Sequence, residues 1–116
     1  MDVCVLSRDL IFFSAVAGVA GAMGHHARQI GALEEIGTAG VLIGDFVSAA
    51  FDVAALAAVF DPLRTAIFTP HERVEVFRAA RANGVAHVYR RGALAVELPR
   101  ILAEYTPDGE PASPAV

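Results

Sequence analysis

Three short runs of this chain are apolar almost without interruption: DVCVL (2–6), GVLIGD (40–45) and TAIFT (65–69). A strand with one wet face alternates apolar and polar residues with a period of two, whereas a continuous run implies cover on both faces. Each run is followed by a stretch with helical spacing that ends at Gly or Pro. Doubly covered strands that alternate with helices predict a parallel sheet with right-handed crossovers and helices on both sides. HARQIGA (26–32), which alternates only weakly, and VAHVYR (85–90) complete a set of five strands. The commonest five-stranded solution is a three-layer α/β/α sandwich of strand order 2-1-3-4-5.

Between the strands, residues 9–23 read as a helix with Ile11, Phe12, Ala15, Val16, Val19 and Met23 on its core face, stopped by Gly24. Phe13 falls on a different side and is expected to be an exposed apolar residue. LEEIGT (33–38) is too short for a full helix, so the second helix is predicted to be short or missing. Residues 48–60 read as an Ala-rich helix carrying Phe51, Leu56, Val59 and Phe60, closed by Asp61-Pro62. Thr69-Pro70-His71-Glu72 has the spacing of a capping box, which predicts a helix starting there and running to Asn83, with Gly84 as its left-handed cap. Leu94, Leu98, Ile101, Leu102 and Tyr105 mark a last helix, predicted to begin near Val96 with Pro99 in its first turn. Residues 1–105 are thus expected to be one domain. The Pro-rich stretch 106–116 is expected to be a disordered tail.

Composition narrows the function. A hydrophobic content of 55% in 116 residues suits one globular core. A net charge of −4 argues against nucleic acid, whose phosphates need a basic footprint. The uncharged stretch 10–24 is shorter than the ~20 apolar residues of a membrane span, and Asp2, Arg8 and Asp9 do not form the basic start of a signal peptide. A cytoplasmic location without a membrane partner is expected. Cys4, the single cysteine, is expected to be a small buried hydrophobe. His25-His26 are adjacent and would point to opposite faces of a strand, and His87 reads as a strand surface residue. No metal site is predicted.

In an open parallel sheet, ligands bind at the carboxyl ends of the strands. With strand order 2-1-3-4-5, Ser7, Arg8, Asp9 and Asp45 converge at one rim, joined by Thr69 and Arg91 from the neighbouring strand ends. Arg8 is expected to pair with Asp9 or Asp45. Thr69 is expected to act as a helix cap, and His71 to stand in solvent in the first helical turn.

VLIGD ending in Asp45, AIFT ending in Thr69, and RAARANGVAHVYRRGALAVELPRIL (78–102) together resemble a receiver domain of two-component signalling over residues 2–105. The resemblance is to an atypical, degenerate pseudo-receiver, standing alone and flavodoxin-like in fold. It implies Asp45 at the phosphoacceptor position, Thr69 at the switch hydroxyl and Arg91 where the family has Lys. Ser7 and Arg8, or Arg8 and Asp9, fall where the family has paired acids that hold Mg²⁺, and Tyr89 is one position out of register with the aromatic switch residue. A guanidinium in that place repels a divalent cation and can neutralise Asp45 instead.

The expectation is a non-enzymatic signalling and interaction module, without a cofactor, that acts on a protein partner or on itself as a homodimer. Its contact surface is expected on the first helix, at Phe12-Phe13, or at Tyr89, Leu94 and Tyr105 on the last strand and last helix. Two alternatives stand beside it. One is a phosphorylatable receiver using Asp45. The other is a small anion- or ligand-binding flavodoxin-like protein using Arg8, His71 and Arg91.

Overall fold

The computed structural model describes residues 1–47 and 51–105. The expected tail lies outside the described residues, as do positions 48–50. In chain order the elements are β1 (Asp2–Leu6), α1 (Leu10–Ala22), β2 (His26–Ile30), β3 (Val41–Asp45), α2 (Val53–Val59), β4 (Thr65–Thr69), α3 (Val74–Ala82), β5 (His87–Arg90) and α4 (Leu94–Tyr105). Single 3₁₀ turns lie at Leu33–Glu35, Pro62–Arg64 and Arg91–Ala93. The strands form one parallel sheet in the order β2-β1-β3-β4-β5. Both the predicted strand order and the shortened second crossover are present. No described helix is long and apolar enough to cross a membrane.

Strand periodicity divides the core. Val3, Val5, Val41, Ile43, Ala66 and Phe68 point to one face, where Phe12, Val16 and Ala20 of α1 and Leu98, Ile101 and Leu102 of α4 cover them. Cys4, Leu6 and Leu42 point to the other, under Ile36 and Leu56, and Ile67 lies there against Val53, Val76 and Ala80. Because β1, β3 and β4 carry apolar residues in both directions, their runs do not alternate.

Four expectations are corrected. The buried stripe of α1 is Phe12, Val16 and Ala20, with Phe13, Val19 and Met23 packed beside it. Ile11 is 81% exposed and Phe13 is not the free residue. Thr69-Pro70-His71-Glu72 is not a capping box. Thr69 still belongs to β4, the Arg73 N–H donates to the Pro70 carbonyl (3.0 Å) in a turn, and α3 begins only at Val74. Among the described residues the Ala-rich helix is confined to Val53–Val59, because the Asp52 carboxylate caps it at the Ala54 N–H. The last helix starts at Leu94, so Pro99 lies inside it and not in its first turn. Gly24 and Gly84 do end α1 and α3, with φ of 82° and 74°.

Candidate functional site

Asp45 ends β3 and is fully buried. Its Oδ2 accepts the Ser7 hydroxyl at 2.8 Å, and its Oδ1 accepts the Val47 N–H at 3.0 Å. Ser7, also buried, leaves β1 at the same rim, where its Oγ accepts the Asp9 N–H at 3.0 Å. The Gln29 side-chain amide donates to the Ser7 carbonyl at 2.9 Å and so fixes this turn from β2. A buried carboxylate requires partners of this kind, because leaving it unpaired would cost several kcal/mol (order of magnitude).

The next residues start α1. Asp9 is its N-cap, and Oδ1 accepts the Ile11 and Phe12 N–H groups at 2.9 and 3.4 Å. Its other oxygen, Oδ2, accepts Nη2 of Arg91 at 2.5 Å. The same Nη2 stands 3.7 Å from Oδ2 of Asp45. The guanidinium also lies over the Phe12 ring, 5.0 Å from its centroid. One side chain thus bridges the two acids of the rim while resting on an aromatic of the first helix. The Arg91 hydrogen bond, with help from the Ile11 and Phe12 amides, holds the Asp9 carboxyl below the ordinary carboxylate range.

The bridging guanidinium comes from the end of β5. Arg8 is exposed in the turn between β1 and α1. Ser7, Asp9, Asp45 and Arg91 are therefore brought together as one hydrogen-bonded group. His71 stands in the turn before α3, its side chain 82% exposed and facing Glu72 at 3.5 Å, while Arg91 is committed to the acids. Two contributors are missing from the sequence reading. Gln29 is invisible there because its role depends on β1–β2 pairing. Phe12 has a signal, an aromatic three residues after an N-cap acid, but the sequence reading places it in the core or in a contact surface and not at the rim.

Thr69 completes the rim in an unexpected way. It is fully buried, yet its hydroxyl has no hydrogen-bond partner among the described residues. Alternation places it with Ile67 on the α2/α3 face, whereas Asp45 follows Ile43 on the α1/α4 face. No group of three or more His, Cys, Asp or Glu side chains is arranged to hold a metal ion among the described residues. Away from the rim, the His87 ring is not a loose surface group: it meets Glu104 at 2.8 Å and the Tyr89 hydroxyl at 3.3 Å.

No protein-family description matches this sequence, and no curated protein is similar to it. Solved structures do share its fold. A response regulator from Chloroflexus aurantiacus matches 88% of this chain and 97% of its own, with a TM-score of 0.64 and 18% identity. NtrX from Brucella abortus matches 90% of this chain with a TM-score of 0.66 and 18% identity, and the match spans 27% of that longer protein. A fusion protein carrying a trimeric coiled-coil segment of yeast Spc42 matches 90% of this chain and 78% of its own, with a TM-score of 0.71 and 12% identity. At these identities the likeness establishes the architecture, and that architecture is the receiver-like α/β fold.

Proposed function

We propose that this chain is a receiver-fold signalling module that works by protein contacts, without phosphotransfer of its own, because a guanidinium takes the place of a divalent cation in its rim pocket. The observation that carries this reading is the position of Arg91 Nη2, 2.5 Å from Asp9 and 3.7 Å from Asp45. Phosphoryl transfer to a carboxylate needs a cation that neutralises the phosphoryl oxygens, and Mg²⁺ needs a nearly octahedral oxygen shell. Two carboxylates already bridged by an arginine do not fit that need. A divalent ion about 4 Å from the guanidinium would be repelled by about 8 kcal/mol at an effective dielectric of about 20. The two oxygens of Asp45 also accept hydrogen bonds from Val47 and Ser7, which uses part of their acceptor capacity. What remains useful is a rigid scaffold whose rim acids are already bridged.

The test is beryllofluoride with millimolar Mg²⁺, followed by amide NMR of the whole chain. Silence at Asp45, Thr69 and Arg91 is the expected result. Saturable shifts confined to those three positions would overturn the reading. A second reading, slow phosphorylation of Asp45, would need the buried Thr69 hydroxyl at the family's switch position, unpartnered among the described residues, to turn toward Asp45 from the other face of the sheet. The same experiment decides between them.

A further inference from the structure

Right-handed crossovers assign each connection of this sheet to one face. The β2–β3 connection, residues 31–40, belongs with α2 and α3, yet it contains only the 3₁₀ turn Leu33–Glu35. That layer is therefore one helix short. Leu33, Ile36, Leu56, Phe51 and Phe60 close the core beneath it. Above them, between the 3₁₀ turn and α2, an open groove of about 530 Å³ is lined by Leu33, Ile36, Gly37, Ala55 and Val59, with Glu34 its only charged wall among the described residues.

We infer that this groove receives an amphipathic helix of a partner protein, one that carries lysine or arginine beside a narrow apolar stripe and supplies in trans the helix missing from the layer. Ala55 and Val59 lie one turn apart on the exposed side of α2, and Val59 is 61% exposed. This is the i, i+4 spacing that a second helix packs against. α2 itself is uncharged and lies between Asp52 and Asp61, while the 3₁₀ turn adds Glu34 and Glu35. The cations nearby are committed. Arg28 pairs with Asp2 at 2.9 Å and donates to the carbonyls of Glu35 and Ile36, and Arg64 donates to the Gly40 carbonyl and lies over the Tyr105 ring. The rim thus offers carboxylates to a basic partner. A second copy of this chain fits less well. The 13-residue α1 carries no charge, and the outward face of α3 mixes Glu75 with Arg78 and Arg81. The inference rests on the reading that the chain works by protein contacts, but not on the state of the Asp45 pocket.

The experiment uses the full ¹⁵N-labelled chain and two synthetic helical peptides with the same Leu/Ala stripe, one flanked by lysine and one by glutamate. Saturable shifts at Leu33, Ile36, Ala55 and Val59 with the lysine peptide are expected, weakening with salt. The glutamate peptide should bind at least about tenfold more weakly, and Val59→Asn should cost the lysine peptide about tenfold. Glu34→Lys should erase the preference between the two. Both positions are on the surface, so an unchanged Tm confirms intact variants. Equal binding of both peptides, shifts elsewhere, or indifference to Val59→Asn would overturn the inference. So would concentration-dependent shifts at Val59 without peptide, which would make a second copy the occupant. Failure here with silence toward beryllofluoride leaves the rim reading standing. Binding here with a beryllofluoride response removes the rim reading and keeps the groove.

Discussion

Thr69 and Arg91 show how residue type and residue role separate. The Thr-Pro-His-Glu spacing predicts a hydroxyl that caps a helix, and such a cap is worth about 1 kcal/mol. Instead the hydroxyl is buried without a partner among the described residues. An unsatisfied buried hydroxyl is a cost, so Thr69→Val should be neutral or stabilising by up to about 1 kcal/mol in urea unfolding. A loss of about 1 kcal/mol would show that the hydroxyl has a partner after all. Arg91 teaches a related lesson. The sequence puts Arg8 and Arg91 at the same rim as the acids, and the structure shows Arg91 reaching Asp9 from the end of β5. Asp9 also carries a pH signature. Its carboxyl is held below the ordinary value of about 3.9, so its charge stabilises the fold in full above that value and the contribution is lost as pH falls through the lowered one. Asp9→Asn keeps a capping side chain but removes the charge. The variant should be less stable at neutral pH, with the deficit shrinking below about pH 4. A constant deficit across that range would assign the contact no electrostatic role.

Among the elements, legibility followed contrast. β1, β3 and β4 were plain because continuous apolar runs are bounded by polar or Gly positions. The phase of α1 was not, because LIFFSAVAGVAGA is apolar on every side and offers no polar face against which to rotate it. The structure settles the phase through the N-cap: Asp9 fixes the first turn, Phe12 falls under Arg91, and Ile11 is left outside. The start of α4 was missed for another reason. In the sequence Pro99 reads as a first-turn marker, but Arg91–Ala93 already form a 3₁₀ turn that leads straight into Leu94. Packing of Leu98, Ile101 and Leu102 outweighs the lost proline N–H. Within β3, Gly44 has a packing role. A Cβ there would lie 3.0 Å from the Phe51 ring, which is itself packed on Phe46 with centroids 4.4 Å apart. Gly44→Ala should therefore cost about 1–3 kcal/mol in denaturant unfolding, despite the better strand propensity of alanine. A neutral result would mean that Phe51 moves freely.

At the scale of the whole molecule, two layers of unequal completeness enclose a sheet whose two rim acids are bridged by a single arginine. The core is closed even beneath the shorter layer, and Cys4, which faces that layer, reports it. The residue is fully buried and its thiol is pushed up to about 11 by desolvation, so a thiol reagent should label it only through global opening. Labelling at the rate of a free thiol in native buffer would refute this. The rim allows a stronger test, because the proposed obstacle to a divalent cation is a particular charge. The double variant Arg8→Asp with Arg91→Gln adds an acid beside Asp9 and removes the guanidinium charge from the rim. If charge balance alone keeps Mg²⁺ out, the variant gains a site while the parent chain does not. A ligand that binds only the folded state stabilises it by RT ln(1 + [L]/Kd), which is about 1.4 kcal/mol when Mg²⁺ is tenfold above Kd. For a domain of this size, that raises Tm by roughly 4–8 °C. Sodium at matched ionic strength should not act at all. An equal rise in Tm for the parent chain would mean that Arg91 yields its place to the cation, and phosphotransfer at Asp45 would then regain its physical basis.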